Sequence, residues 1–232
     1  MKRKKIAVLS GAGISAESGI KTFRDAGGLW EGHDVMEVAS PEGWMKNKSL
    51  VLDFYNQRRR QLKEVQPNLA HFEIQKLEQK YEVVVITQNV DDLHERAGSS
   101  KVIHLHGELK KVRSVMNEAI ITYTEEDIVL GDLAADGHQL RPHIVWFGEM
   151  VPMLEIAAKE VTDSDFVIIV GTSMQVYPAA GLVSYASQHS ELFYVDPKPN
   201  ISYELRLRNN LRVIEHKATV GIPTIVQNLL SR

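Results

Sequence analysis

The strongest constraint on the fold is a succession of short, β-branched and apolar runs bounded by Gly, Pro, Asn or Asp: Ile6 to Leu9, Val83 to Thr87, Val102 to Leu105, Ile144 to Phe147, Phe166 to Val170 and Leu192 to Val195. Runs of this length with little polar alternation read as strands buried on both faces. Helix-sized segments lie between most of them, such as Met153 to Val161 and Ala179 to His189, the latter opened by Pro178 at a helix start. This alternation predicts an α/β fold, a Rossmann-like doubly wound parallel sheet with helices on both faces. Ligands of such sheets gather at the carboxyl ends of the strands, so the chemistry is expected in the residues that follow each run.

Two stretches interrupt the alternation. Residues 31–76 read as mainly helical, with Ser40-Pro41 as a cap and first-turn signal and a second start near Pro67-Asn68. Residues 108–141 are polar, with β-like pieces around Ile120 to Thr124 and no convincing helix. Both are expected to form a small lobe, leaving 1–30, 77–107 and 142–232 to a large Rossmann-like lobe, with a cleft between the two.

Charge and composition remove several classes of function. Lys+Arg 27 against Asp+Glu 30 gives a formal charge of -3, with no basic surplus to meet a phosphate backbone, so nucleic acid is not an expected partner. No apolar stretch approaches the ~20 residues that span a bilayer, so no membrane partner is expected. The start, MKRKKIAVLS, has a basic front but too few apolar residues for a secretory leader, and the cytoplasm is the expected location. With no cysteine there is no disulfide, thiolate zinc site or cysteine nucleophile. Oligomeric state is not readable.

The first run leads into Gly11-Ala12-Gly13-Ile14-Ser15-Ala16, a G-x-G-x-x-A turn expected to feed a helix. Glycines there let backbone amides approach a diphosphate, and a helix start adds favourable partial charge. A tight packing turn would use the same residues. No acid ends a second strand about 20 residues on, as a dinucleotide fold would ordinarily have it. Asp196, after Leu192 to Val195, is the candidate for ribose hydroxyls, and Gly171-Thr172-Ser173 offers small donors after another strand. Gln88-Asn89-Val90-Asp91 follows a fourth run and His106-Gly107 a fifth. Amides, a carboxylate and an imidazole at adjacent strand ends suit orienting a sugar and moving a proton, with His106 as the candidate general base. Ordinary polar packing of His104 and His106 along a strand is the bland alternative.

GAGISAESGIKTFR, TQNVD, HLHGEL, RPHIVWFGE, GTSMQVYPA and a closing VDP together resemble the successive motifs of the sirtuins, the NAD-dependent protein lysine deacylases. The resemblance runs through nearly the whole chain in the family's order. It implies that Gly11, Ala12, Gly13, Ser15, Arg24, Gln88, Gly171, Ser173 and Asp196 lie around NAD, with Asn89 and Asp91 beside the nicotinamide and its ribose. It makes His106 the catalytic base and Asn89 its companion. Phe147, Gly148, Glu149 and Val176 match positions that hold an acyl-lysine protein or peptide as an added strand. Nicotinamide, free lysine and O-acyl-ADP-ribose are the implied products. NAD glycohydrolase or ADP-ribosyltransferase activity would use the same residues, and a non-catalytic NAD sensor would lack a need for His106 and Asn89.

Tyr55 and Arg58 stand three positions apart on a predicted helix, hence on one face. This Tyr-x-x-Arg resembles the pair of the sirtuin subclass that removes acidic acyl groups, and a guanidinium with a phenol suits a terminal carboxylate such as that of malonyl- or succinyl-lysine. Arg58, Arg59 and Arg60 also form a run that a solvated face would explain. Ala26 is small enough to leave room for a longer acyl chain, and a loop role for 26–28 is equally open. Most sirtuins brace the small lobe with four cysteines on zinc. Here Ser114 stands near the first ligand position, and Asp127, Asp132 and His138 are irregularly spaced, so no metal is expected. Structural zinc can supply an apparent ~10–16 kcal/mol in small peptides. A core of Ile120, Ile121, Tyr123, Ile128, Val129, Leu130 and Leu133 is the expected compensation. Asp196 stands where many relatives carry Asn.

Overall fold

The computed structural model describes residues 3–21, 29–30 and 32–232. In chain order the elements are β1 (Lys5–Ser10), β2 (Leu29–Trp30), β3 (His33–Asp34), α1 (Val35–Val38), α2 (Pro41–Lys46), α3 (Lys48–Glu64), α4 (Leu69–Lys76), β4 (Glu82–Thr87), α5 (Leu93–Arg96), β5 (Val102–His104), β6 (Gly107–Ser114), β7 (Ile121–Tyr123), β8 (Leu140–Ile144), α6 (Leu154–Thr162), β9 (Phe166–Val170), β10 (Glu191–Val195), α7 (Tyr203–Arg206), β11 (Leu211–Ile214) and α8 (Ala218–Leu230). They fall into two compact units, one of 1–20, 66–105 and 151–232, the other of 21–65 and 106–150.

The first unit is built on a six-stranded sheet in the order β11-β10-β9-β1-β4-β5, parallel throughout. That order is the doubly wound Rossmann pattern, with its switch point between β1 and β9. Because both faces are covered, consecutive residues of a strand serve opposite cores. Ile6, Val8, Val83, Val85, Ile168 and Val195 pack with α4 and α8, while Ala7, Leu9, Val84, Ile86, Val167 and Ile169 pack with α6 and the 3-10 turns of Ala179–Tyr185. Each fully buried aliphatic side chain contributes about 1.5–3 kcal/mol, which explains why the strands read as unbroken apolar runs.

The second unit pairs α3 with a three-stranded antiparallel sheet, β7-β6-β8. Asn47 caps α3 by accepting from the Leu50 amide, and Val51, Tyr55, Arg59 and Leu62, at spacings of four and three, lie on its buried side. The Ser40-Pro41 signal is realised at the start of α2, where Ser40 Oγ accepts from the Gly43 amide at 2.9 Å.

Several expectations need correction. The units divide at other residues than the sequence suggested: α4 joins the first unit, because Ala70, Ile74 and the following Leu77 pack into the core shared with α8. Ile144 to Phe147 is no strand of the parallel sheet. It contributes only its first residue to β8, and the chain then turns, with the Glu149 amide donating to the Trp146 carbonyl. The described residues just after Gly13 form no α-helix; two 3-10 turns, Ala12–Ile14 and Ala16–Ser18, are followed by Gly19 in the left-handed region. Ala179 to His189 is likewise 3-10 and stops at Tyr185. The strand β11 went unread because Arg212 interrupts it and it lies at the sheet edge.

The compensating apolar core of the small lobe does not form. Of the seven residues expected there, Ile128 is buried, whereas Ile121, Tyr123, Val129, Leu130 and Leu133 are exposed. Buried polar ties fasten this stretch to α3. Arg59, fully buried, donates from Nε to the Leu109 carbonyl at 2.9 Å and from one terminal nitrogen to Asn56 Oδ1 and the Glu126 carbonyl. Asn56 in turn exchanges two hydrogen bonds with the backbone of Ile128.

Candidate active site

In the first unit four strand ends carry the predicted polar residues. The loop after β1 and the loop after β9 touch backbone to backbone: the Gly11 amide donates to the Val170 carbonyl and the Gly13 amide to the Gly171 carbonyl at 2.7 Å. Gly171 has φ 61, and a Cβ built on Gly13 would stand 2.7 Å from the Gly171 Cα. Glycine is therefore demanded by the loop contact itself. The amides of Ile14 and Ser15 are also satisfied within the turn, leaving Ala12's amide as the one of residues 11–15 without a partner among the described residues. The turn therefore presents one unsatisfied backbone donor, not the full row a helix start would present.

After β4 the chain makes a tight polar turn. Asn89, buried, donates from Nδ2 to the Gly11 carbonyl and to Ser15 Oγ, both at 3.2 Å, and Ser15 Oγ donates to Asp91 Oδ2 at 2.9 Å. Gln88 Nε2 donates to Thr172 Oγ1 at 3.2 Å, joining this turn to the loop after β9. Burial pushes the Asp91 carboxyl up to about 6, opposed by hydrogen bonds from the Leu93 amide and Ser15. Asp196, buried, accepts from the Lys198 amide at 2.8 Å, and Ser173, two residues after Gly171, is half-buried. Val176 is exposed. Arg24 and Ala26 lie outside the described residues.

Sequence reasoning passed over a second layer beneath this turn. His94 Nε2 lies 3.0 Å from Ser10 Oγ at the end of β1, and its ring meets that of His71 edge-on at 4.9 Å between centroids. Burial holds both imidazoles neutral: His71 is lowered to about 4 and His94 well below its ordinary value. Asn68, read as a helix cap, also donates to the Ile14 carbonyl at 2.7 Å and so steadies the turn after β1. The available signal was His94 itself, three residues after Asp91 at the start of a short helix.

In the second unit, half-buried His106 is followed by Gly107, whose φ of 82 and whose Cβ position, 2.0 Å from the His143 carbonyl, admit no side chain. The His106 carbonyl accepts from the Val145 amide at 2.9 Å, so the backbone of the histidine is fixed by the segment after β8. Tyr55 is fully buried, and its hydroxyl oxygen accepts from Trp146 Nε1 at 3.1 Å, leaving its own proton to donate; burial raises its pKa. The Arg58 guanidinium sits 4.7 Å from the centroid of the Phe54 ring. The run of three arginines thus has three fates, since Arg59 is a buried tie and Arg60 pairs with Asp127 at the surface.

Phe147 and Gly148 are exposed in a turn, not in an extended strand, with Gly148 at φ 90. Glu149 serves that turn. Its carboxylate receives both terminal nitrogens of Arg141, at 2.7 and 3.2 Å, and the Trp146 amide at 2.8 Å. Burial would raise the Glu149 carboxyl, but Arg141 and the Trp146 amide outweigh it and hold it below the usual carboxylate range. Arg141 also stacks on the Trp146 ring, 3.3 Å from its centroid.

The residues near the expected zinc position do not fit the ion. Ser114 Oγ donates to Asp136 Oδ2 at 2.7 Å and accepts from the amides of Met116 and Asn117. Among the described residues no three His, Asp or Glu side chains gather to hold a metal. No helix among them is long and apolar enough to cross a membrane.

Comparison with known proteins bears on all of this. A model of the Sir2 family matches residues 11–178. A Helicobacter pylori protein named NAD-dependent protein deacylase is 57% identical over 227 residues, covering 98% of this chain and 96% of its own. A Bacteroides thetaiotaomicron protein of the same name is 49% identical, covering 98% of each chain. Among solved structures, a Sir2 homologue in complex with NAD superimposes with a TM-score of 0.85 at 36% identity, covering 99% of this chain and 90% of that one. A Sir2 protein bound to acetylated peptide does so with 0.78 at 28% identity, covering 99% and 94%.

Proposed function

Since the chain belongs to the Sir2 family and is an NAD-dependent protein lysine deacylase, we propose that its preferred substrates are lysines bearing acidic acyl groups, malonyl and succinyl, with acetyl-lysine used more slowly. The observation that carries this is the pairing on α3 of a buried phenol with a proton left to donate and, one turn on, a guanidinium propped on the Phe54 ring. Tyr55 and Arg58 offer a terminal carboxylate two donors of different kinds from one rigid element.

NAD, when bound, supplies a ribose carbon whose cationic nicotinamide is a good leaving group. For this chain's residues the proposal assigns the Ala12 amide to the diphosphate, with Gly11, Gly13, Gly171 and Gln88 shaping its loop walls. Ser173 and Asp196 receive a ribose, and Ser15, Asn89 and Asp91 the nicotinamide end. Arg24 keeps the cofactor-binding role that the resemblance implies. His106 takes the proton of a ribose hydroxyl. Phe147, Gly148 and Val176 are assigned to the peptide, and Glu149 supports that peptide segment by holding its turn. Water exclusion and in-line orientation supply the rest of the rate.

Charged hydrogen bonds are worth roughly 1.5–3 kcal/mol, so Arg58→Met should lower kcat/KM for succinyl- and malonyl-lysine peptides by roughly 10–100-fold. Acetyl-lysine turnover should change little. Mass spectrometry of products from matched peptides measures both, and an equal loss on all three peptides defeats the acidic-acyl assignment. The same product analysis separates deacylation from hydrolysis of NAD or ADP-ribosyl transfer.

A further inference from the structure

His104 closes β5, in register with Thr87 of β4, and its ring lies between two groups that only accept hydrogen bonds. Nδ1 stands 3.1 Å from the Asn89 carbonyl oxygen and Nε2 2.6 Å from Glu95 Oε1. A neutral imidazole carries one N–H and would leave one of these contacts without a proton; the imidazolium satisfies both, with Glu95 as its countercharge. The His104 side chain is 8% exposed against 39% for Glu95, so the pair is shielded on the imidazole side. The carbonyl it holds belongs to the residue whose amide side chain ties Gly11 to Ser15, and whose backbone amide is held by Thr87 Oγ1 at 3.0 Å.

We propose that His104 is a positioning residue: as an imidazolium bridging Glu95 to the carbonyl of Asn89, it fixes the turn 88–91 in the conformation that binds NAD. This deepens the function proposed above and rests on it for the role of Asn89. The other titratable groups around it are Asp91, on the turn it holds, Asp92, at the start of α5, and His94, on α5 with Glu95. The His104 charge favours ionised Asp91 and disfavours protonated His94. Arg96 on α5 pairs with Asp92 at 3.6 Å. One imidazole is therefore neutral in the interior while its neighbour at the sheet end carries the charge. Loss of the His104 proton as pH rises breaks one end of the bridge, and NAD should bind more weakly on the alkaline side.

The test combines long-range proton–nitrogen NMR on the full chain labelled at histidine with direct measurement of NAD binding across pH. At about pH 7.5 one histidine, identified by its loss in His104→Gln, should show both ring nitrogens protonated, and in Glu95→Gln it should be neutral. NAD affinity should fall about tenfold or more in His104→Gln, and in Glu95→Gln it should fall by a similar factor near pH 8.5 and much less near pH 6.5. A purely structural role would lower Tm without that pH dependence. If His104→Gln does not fold, Glu95→Gln carries the same test at an exposed position. A singly protonated His104 in the unaltered chain, or NAD affinity that is unchanged in Glu95→Gln at both pH values, overturns the proposal. Failure of the unaltered chain to deacylate any lysine peptide would instead strike the reading of function, leaving the NMR result standing.

Discussion

In the first unit, Ser10, Ser15, Asn89, Asp91 and His94 hydrogen-bond to one another or to strand-end loops above a sheet packed on both faces by apolar cores. In the second, Arg59 and Arg141 are themselves buried and hold helix, strand and turn together, while much of the apolar material faces outward. Burial of hydrocarbon orders the one, with polar groups gathered at its sheet end. In the other, charged ties to backbone carbonyls work beside buried apolar residues such as Val51, Phe54 and Leu62, and there Arg59 and Arg141 are structural. An arginine or glutamate is thus no guide to function until its partner is known, as the contrast between Arg58 and Arg59 makes plain.

The contrast can be broken at its functional end first. With all the assigned NAD contacts but that of Arg24 in the first unit and the base in the second, His106→Ala should lower deacylation by roughly 10²–10⁴-fold while leaving NAD affinity within about threefold. Product assays beside a binding titration check it, and retained turnover would remove the base assignment.

Next in size is the buried tie. Arg59→Leu leaves the Leu109 and Glu126 carbonyls and Asn56 without their donor and should cost about 3 kcal/mol or more, whereas Arg60→Ala, at the surface, should cost less than about 1 kcal/mol. Denaturant unfolding of the two variants decides whether the run is one solvated face or two different kinds of residue.

Acid should then act on the first unit. His71 is lowered from 6.5 to about 4 by burial, so on acidification the unfolded chain takes up a proton that the folded one refuses. Its contribution is intact above pH 6.5 and is lost as pH falls toward 4, by roughly 3 kcal/mol at most, with His94 acting in the same direction. Asp91, raised from 3.8 to about 6, works oppositely: the folded chain keeps its proton more tightly, adding stability as pH falls through that range. Two histidines against one carboxyl predict a net fall in Tm between pH 6.5 and 4, and His71→Gln should flatten it. An unchanged slope in that variant would show that the loss arises elsewhere.

A smaller effect than that of Arg59 belongs to the turn that stands near the expected zinc position. Ser114→Ala removes one donor to Asp136 and one acceptor for two amides, and should lower stability by about 1–2 kcal/mol. Calorimetry with and without a strong chelator should give the same Tm for the unaltered chain.

The division between what the sequence reveals and what it hides follows the same line. Val83 to Thr87 and Phe166 to Val170 were readable because apolar burial writes itself into consecutive residues, and the residues after them were readable because a parallel sheet presents its strand ends together. The fixing of the small lobe was not readable. The partners of Arg59 and Arg141 include the carbonyls of Leu109, Glu126 and Ile144, and a carbonyl has no letter of its own. His104 was hidden for a related reason, since one of its two partners is the backbone of Asn89.

The meeting of Gly13 with Gly171 has a consequence for how relatives are read. Each of these positions is policed by collision with the other, whatever occupies the crevice beyond them. A descendant that had lost every taste for dinucleotides would keep both glycines, so their survival in a distant cousin attests to shared architecture and is silent on shared trade.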